Sequence, residues 1–407
     1  VKRIAIIGAA LSANKGAAAM LETVMARLPE AIGPCEFAVL TTYPEADAPK
    51  LPKGVNARVI GYEPIHMALV ELPAALLTRV LRALHLPTKW IRARACRSIL
   101  DADVVVDVAG ISFADGRGKP ILFYNALMTG IPLLVGTPTV KAAQALGPFD
   151  STLNRTLARV VLPRLAGICA RGARTREFLN QLDLVNVTDV ADLAFGLDEA
   201  TDLPDHVQSL IKPCGDYVIV MPSSVVRRIV ERDGGNYVAL MAALVRAVRV
   251  ETNLSVVIAP HSYRVGKPED RMNDGPVCRE VAAACSDDSR VVGIDADLSA
   301  GELRKLIAGS SAMVTSRFHA MVSGLATCTP TVVLGWSHKY REVLSDFGMV
   351  DCGYDADQLL HPEVLVDKVK WMIDHRDEVV HQLQGALPEV RRRSNLNLDV
   401  ISKAVTR

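Results

Sequence analysis

The sequence predicts an α/β protein built from two parallel sheets, each covered by helices on both faces. Three observations carry that expectation. Short apolar runs alternate with helix-like stretches from end to end. The 407 residues exceed what one hydrophobic core usually organises. Charged or small residues recur at the C-terminal ends of the apolar runs, the edge at which open parallel sheets bind ligands.

Taken in order, the first series of strands is expected at 3–7, 36–40, 57–60, 104–108, 133–136, 167–170 and 187–190, with 15–28 the clearest helix between them. A second series is expected at 217–221, 256–259, 290–293, 312–315 and 331–334. Between the two series, residues 195–205 are polar and proline-bearing, and Lys212-Pro213-Cys214-Gly215 follows. Domains are therefore expected over 1–200 and 216–360, joined by a linker at 201–215, with charged helices over 361–407 that brace the first domain.

Composition excludes several classes. Lys and Arg total 46 against 45 acidic residues, which removes the overall basic excess of a nucleic-acid binder. No uncharged apolar run reaches about 18 residues, which argues against a spanning helix. The opening Val1-Lys2-Arg3-Ile4-Ala5-Ile6-Ile7-Gly8 reads as a strand entering a loop rather than as a signal peptide. Eight cysteines are scattered with no Cys-x-x-Cys and no zinc spacing, so no metal site is expected and a reducing, cytoplasmic setting fits.

Residues 67–100 depart from the pattern. They are rich in Leu, Ala and Val and carry Arg79, Arg82, Lys89, Arg92, Arg94 and Arg97, with Glu71 as their only acid. One reading is a basic amphipathic surface that contacts the inner face of a membrane peripherally. The other, preferred because most apolar helix faces are core, is helices packed on the sheet with solvated arginines. Pro73 and Pro87 argue against one continuous helix.

The densest chemistry lies in 314–343, where Arg317 and His319 follow one apolar run and His338 and Lys339 follow the next. Four groups able to carry positive charge along one sheet edge suit a small, multiply charged anion, with Arg as a bidentate clamp and Lys as a point charge. Equivalent strand ends add Ser223 and Ser224, with Arg227 and Arg228 beyond, and Pro260-His261-Ser262. A lone histidine is usually structural, but convergence of several cationic groups favours a site. Residues 270–274 (Asp-Arg-Met-Asn-Asp) either hold a loop near that edge or cap the next helix.

In the first half, the loop Gly8–Ala19, with Asn14 and Gly16, opens a helix and suits an anion or hydroxyl-rich ligand, or else is a capped turn. Asp107, Gly110, Ser112 and Asp115 form a second small-residue loop, suited to a ligand or to a surface turn. Arg171, Arg174 and Arg176 follow another strand, either lining a site or solvated at a helix start.

Ser316-Arg317-Phe318-His319-Ala320, a small-residue helix, Thr329-Pro330 and the later Lys339 closely resemble the C-terminal signature of polysaccharide pyruvyl transferases. Asn14-x-Gly16, 107–112, Ala170-Arg171, Asp192-Leu193-Ala194-Phe195, Pro260-His261-Ser262 and Asn273-Asp274 match that family in order, so the resemblance spans about 1–345. Departures are Ala17 in place of an acid, Ala109-Gly110-Ile111 in place of a glycine run, and Arg171-Gly172 in place of Arg-Asp or Arg-Glu.

The resemblance implies two Rossmann-like domains facing across a cleft as in GT-B glycosyltransferases. It further implies transfer of pyruvate from phosphoenolpyruvate onto a sugar of a polysaccharide or glycolipid, giving a cyclic ketal and phosphate. No cofactor is implied beyond the donor substrate. On this basis Arg317, Lys339, Ser223 and Ser262 are assigned to the donor, His319 or His261 to catalysis, and Asn14, Gly16, Gly110, Ser112 and Arg171 to the acceptor, a carbohydrate or lipid-linked glycan. His319→Ala and Arg317→Ala are expected to abolish phosphate release with the fold intact. The alternatives are a GT-B nucleotide-sugar glycosyltransferase, for which Glu342 is the only nearby acid, and a non-catalytic carbohydrate- or anion-binding protein. The acceptor sugar and the oligomeric state are left open.

Overall fold

The computed structural model describes residues 1–268, 272–335 and 338–406. It divides into two compact units, one of residues 1–12, 17–196 and 391–407, the other of residues 13–16 and 197–390.

The first unit is built on strands β1 (Lys2–Ile7), β2 (Cys35–Thr41), β3 (Ala57–Gly61), β4 (Val104–Asp107), β5 (Ile111–Ser112), β6 (Thr139–Leu146), β7 (Gly167–Arg171) and β8 (Val187–Val190). All pair in parallel in the order β3-β2-β1-β4-β6-β7-β8, with the short β5 beside β6. Helices cover both faces, so central strands such as β4 (Val-Val-Val-Asp) are buried along their whole length. The order reverses between β1 and β4, and the loops that leave those two strands start at Gly8 and Val108.

The second unit repeats the plan with β9 (Tyr217–Met221), β10 (Ser255–Ile258), β11 (Val291–Gly293), β12 (Ala312–Thr315), β13 (Thr331–Leu334) and β14 (Gly353–Tyr354). These pair in parallel in the order β11-β10-β9-β12-β13-β14. The C-terminal ends of β10, β9, β12 and β13 therefore lie side by side, with the reversal at β9/β12. The strand–helix–strand expected over 312–334 is present, its helix running Phe318–Ala326.

Four differences from the sequence reading have physical causes. Residues 133–136 end the helix Lys119–Val135, which Gly136 closes in the left-handed conformation; the strand lies later, at β6. Residues 201–215 contain a helix, Asp205–Ile211, and Leu203 and Val207 are buried in the second unit's core, so the division falls at Gly196/Leu197. The C-terminal helices are shared out: residues up to 390 belong to the second unit, and 391–407 pack on the first. There Asn397 accepts from the Ala143 backbone N–H at 2.8 Å and donates to the Ala191 carbonyl at 3.1 Å. Val400 sits so close to β7 that a Cβ on Gly167 would meet it at 2.4 Å.

The fourth difference concerns Pro73 alone: residues 67–100 are not one helix, as expected, since the first helix ends at Ala83 before Pro87 and the next begins at Arg94, but 64–83 runs on through Pro73. A π-turn at Met67–Glu71, closed by the Leu72 N–H on the Met67 carbonyl, absorbs the proline that follows.

Candidate active site

In the second unit the strand ends are tied together by one buried acid, Asp274. Its carboxylate accepts from the backbone N–H of Ser224 after β9 at 2.9 Å and of Ser262 after β10 at 3.1 Å. It also accepts from Arg317 after β12, at 2.8 Å through Nε and again through Nη2. Arg317 Nη2 reaches Ser224 Oγ at 3.2 Å as well. Burial opposes the Arg317 charge, yet the Asp274 carboxylate beside it raises its pKa above the ordinary value. One of the two bidentate edges of the guanidinium is thus held by the protein itself. Asn273, next in line, fixes the preceding loop by donating to the carbonyls of Lys267 at 2.8 Å and Pro268 at 3.1 Å. Asp270 and Arg271 lie outside the described residues.

Residues 13–16 belong to this unit and line the same strand ends. Asn14 forms an antiparallel bridge with Ser262, and its side chain accepts from the Gly16 N–H at 3.0 Å, turning the chain into the helix Lys15–Ile32. Lys15 is buried and pairs with Asp297 at 2.5 Å. Gly16 packs directly on His319: a Cβ there would fall 1.9 Å from Nδ1. Only glycine allows that approach. His261 is also buried, and burial, followed by the influence of His319, Arg317, Lys15 and Arg304, holds its pKa well below the usual histidine value. It is therefore a neutral imidazole near neutral pH.

A ring cluster extends the edge toward β13. Phe318 stands edge-on to His319 at 5.0 Å and to Tyr340 at 5.5 Å. The Lys339 ammonium lies over the Phe318 ring at 4.8 Å, a cation–π placement that holds a half-buried charge beside the histidine segment. Tyr340 is anchored by donating to the Ser316 carbonyl at 3.1 Å. His338 is exposed at the start of the helix His338–Asp346, while Trp336 and Ser337 lie outside the described residues. Ser223 is fully buried; its hydroxyl accepts from the Val225 N–H at 3.2 Å as a helix cap, and its N–H donates to Tyr237 Oη at 3.0 Å. Thus Asn14, Gly16, His261, Ser262, Arg317, His319 and Lys339 gather along one edge of one unit, with Ser223 beneath as support.

The first-unit candidates form a separate arrangement. Asp107 and Lys141 are both fully buried and paired at 2.5 Å. Gln144 Nε2 donates to Asp107 Oδ1 at 2.7 Å and to its carbonyl at 2.8 Å, and Ser112 Oγ donates to Gln144 Oε1 at 2.5 Å. Ser112 is consequently an internal network residue, its hydroxyl turned inward. Arg171 pairs with the buried Asp192 and donates to the Gly110 carbonyl at 3.0 Å, so it shapes the Gly110 loop from within. Asp115 lies near the surface, accepting from Ser151 Oγ at 2.6 Å.

In the sequence Asp274 reads only as part of a loop or a helix cap, and nothing local marks Lys15, Lys141 or Gln144 as functional. For Asp274 the signal was available, since an acid beside a cationic strand-end set invites pairing. For Lys141 and Gln144 it was misleading, because polar residues in a strand suggest solvent.

Residues 14–338 match the profile of the family described as polysaccharide pyruvyl transferase. The chain is 21% identical over 305 residues to the amylovoran biosynthesis protein AmsJ of Erwinia amylovora, covering 74% of this chain and 72% of that protein. Among solved structures it is similar to the UDP-GlcNAc 2-epimerase from Neisseria meningitidis bound to UDP-GlcNAc, with TM-score 0.60, 11% identity and coverage of 99% of this chain and 100% of that one. It is also similar to a UGT transferase from Siraitia grosvenorii in complex with UDP, with TM-score 0.59, 9% identity and full coverage of both, 100% each. At such identities these two speak for the fold, that of GT-B enzymes with two parallel-sheet α/β domains. The profile match over most of the chain settles the family: this protein belongs to the polysaccharide pyruvyl transferases.

Proposed function

We propose that the protein transfers pyruvate from phosphoenolpyruvate onto two hydroxyls of a sugar in a polysaccharide or glycolipid, forming a cyclic ketal and releasing phosphate. The observation that carries this reading is the meeting of Arg317, His319, His261 and Lys339 along one edge of the second unit's sheet, the first three within the span that matches the family and Lys339 one residue past it.

Phosphoenolpyruvate carries a carboxylate and a phosphate, and Lys339 supplies a point charge for one of them. Arg317 contributes its positive charge at the same strand end, in an orientation that Asp274 fixes. His319 delivers a proton to the methylene carbon, and positive charge develops on the carbon that bears phosphate. The first sugar hydroxyl adds there. The carbon–oxygen bond to phosphate then breaks, and the second hydroxyl closes the ketal. Of the two hydroxyl protons, one balances the proton placed on the new methyl and the other leaves with phosphate.

His261, neutral and buried, suits the role of hydrogen-bond partner or proton acceptor for an attacking hydroxyl better than that of acid. The Gly110 loop, braced by Arg171, is the first-unit element assigned to the acceptor. Incubation with phosphoenolpyruvate and candidate glycans tests the reading, with phosphate release and glycan mass followed together; binding without release would favour a non-catalytic role.

A further inference from the structure

We propose that the helix Pro64–Ala83 and the segment after it form a docking surface for an anionic lipid bilayer. The helix is inside out. Toward the unit it turns Met67, Glu71, Ala75 and Thr78, all buried. Glu71 is satisfied there by the backbone N–H groups of Ala95 at 3.3 Å and Cys96 at 2.6 Å, at the start of the helix Arg94–Leu100. Met67, Leu72 and Leu81 pack on the core, but several other large apolar residues face out: Leu69 is 72% exposed, Val80 53%, Leu77 52% and Leu76 48%, with Leu84 just past the helix end at 61%. Positions 69, 76, 80 and 84 recur at helical spacing and share one face. Just beyond, Trp90 is 68% exposed. A contiguous surface of this kind marks an interaction site rather than the scattered apolar residues normal on a monomer.

Charge selects the occupant. Arg79, Lys89, Arg92 and Arg94 are exposed around the apolar face, and the only acid between 64 and 100 is the buried Glu71. A second copy docked face to face would set these cations against their own kind. An anionic headgroup layer neutralises them, while the leucines enter the acyl boundary and Trp90, with the Lys89 ammonium 5.4 Å from its ring centre, sits at headgroup depth. One helix among the described residues is long and apolar enough to span a bilayer, and it is this one. Its buried face is tied to the unit by Met67, Ala75 and Glu71, so it lies on the surface.

The full-length protein, without substrate, is floated with vesicles of phosphatidylcholine alone and of phosphatidylcholine mixed with phosphatidylglycerol. The expected result is binding to the mixed vesicles only. The bound-to-free ratio should fall at least about tenfold in a Leu76→Ser/Leu77→Ser variant and about fivefold or more for each cation removed in Lys89→Ser/Arg92→Ser. Unchanged thermal melting shows that these exposed substitutions spare the fold. Failure to bind the mixed vesicles, equal binding by the variants, or a dimer in sedimentation that the leucine variant splits would overturn the proposal. Because no donor or acceptor is present, the outcome is independent of the reaction proposed above.

Discussion

The backbone of Gly16 lies against the imidazole of His319, so close that a Cβ on residue 16 would fall 1.9 Å from Nδ1 and 2.1 Å from Cγ. No rotamer of an alanine methyl relieves this, because the methyl has no torsion that moves Cβ. Either the ring or the 13–16 segment must shift.

Gly16→Ala therefore displaces the proposed acid without removing any functional group. Misplacement on the order of 1 Å costs about a hundredfold in rate, so kcat/KM for phosphate release should fall by about that factor while the protein stays folded. A variant with wild-type turnover would separate His319 from the chemistry.

Arg317 and Asp274 should behave as a unit. Truncating Arg317 leaves a buried carboxylate uncompensated, which costs about 3–5 kcal/mol, so Arg317→Ala is expected to lose stability as well as activity, contrary to the intact fold expected from sequence. Adding Asp274→Asn should recover part of that stability in urea unfolding and none of the activity. Equal stability of wild type and Arg317→Ala would show that the pair does not hold the strand ends together.

His261 gives a pH signature. Its folded pKa lies well below its ordinary value of 6.5, so between the two values the unfolded chain binds more protons than the native one and stability rises with pH. The contribution is complete above pH 6.5 and is lost as pH falls through that value toward the folded pKa. Urea midpoints measured across this range should decline on acidification in wild type and decline less in His261→Gln. Parallel curves for the two proteins would place the titration elsewhere.

How much of this was legible in the sequence depended on burial. The β12–helix–β13 segment was readable because a parallel strand buried on both faces is written as an unbroken apolar run, and its polar end, Arg317 and His319, marks the ligand edge. Strand β6 was not readable, since Lys141 and Gln144 interrupt it; both are buried only because Asp107, 34 and 37 residues earlier, satisfies them. The helix Pro64–Ala83 misled in the opposite sense, with leucines exposed where core was expected and Glu71 inside, because a helix start 25 residues on supplies its hydrogen bonds. Asp274 stands 43 residues from Arg317, and no local pattern encodes that meeting.

The most direct test of pyruvyl transfer is turnover in deuterium oxide. With phosphoenolpyruvate and an accepted glycan, the expected result is one phosphate released per glycan modified, a glycan mass gain equal to pyruvate less water, and one solvent deuteron fixed in the new methyl group. Glycan modification without phosphate release, a methyl free of deuterium, or modification only with a nucleotide sugar would contradict it.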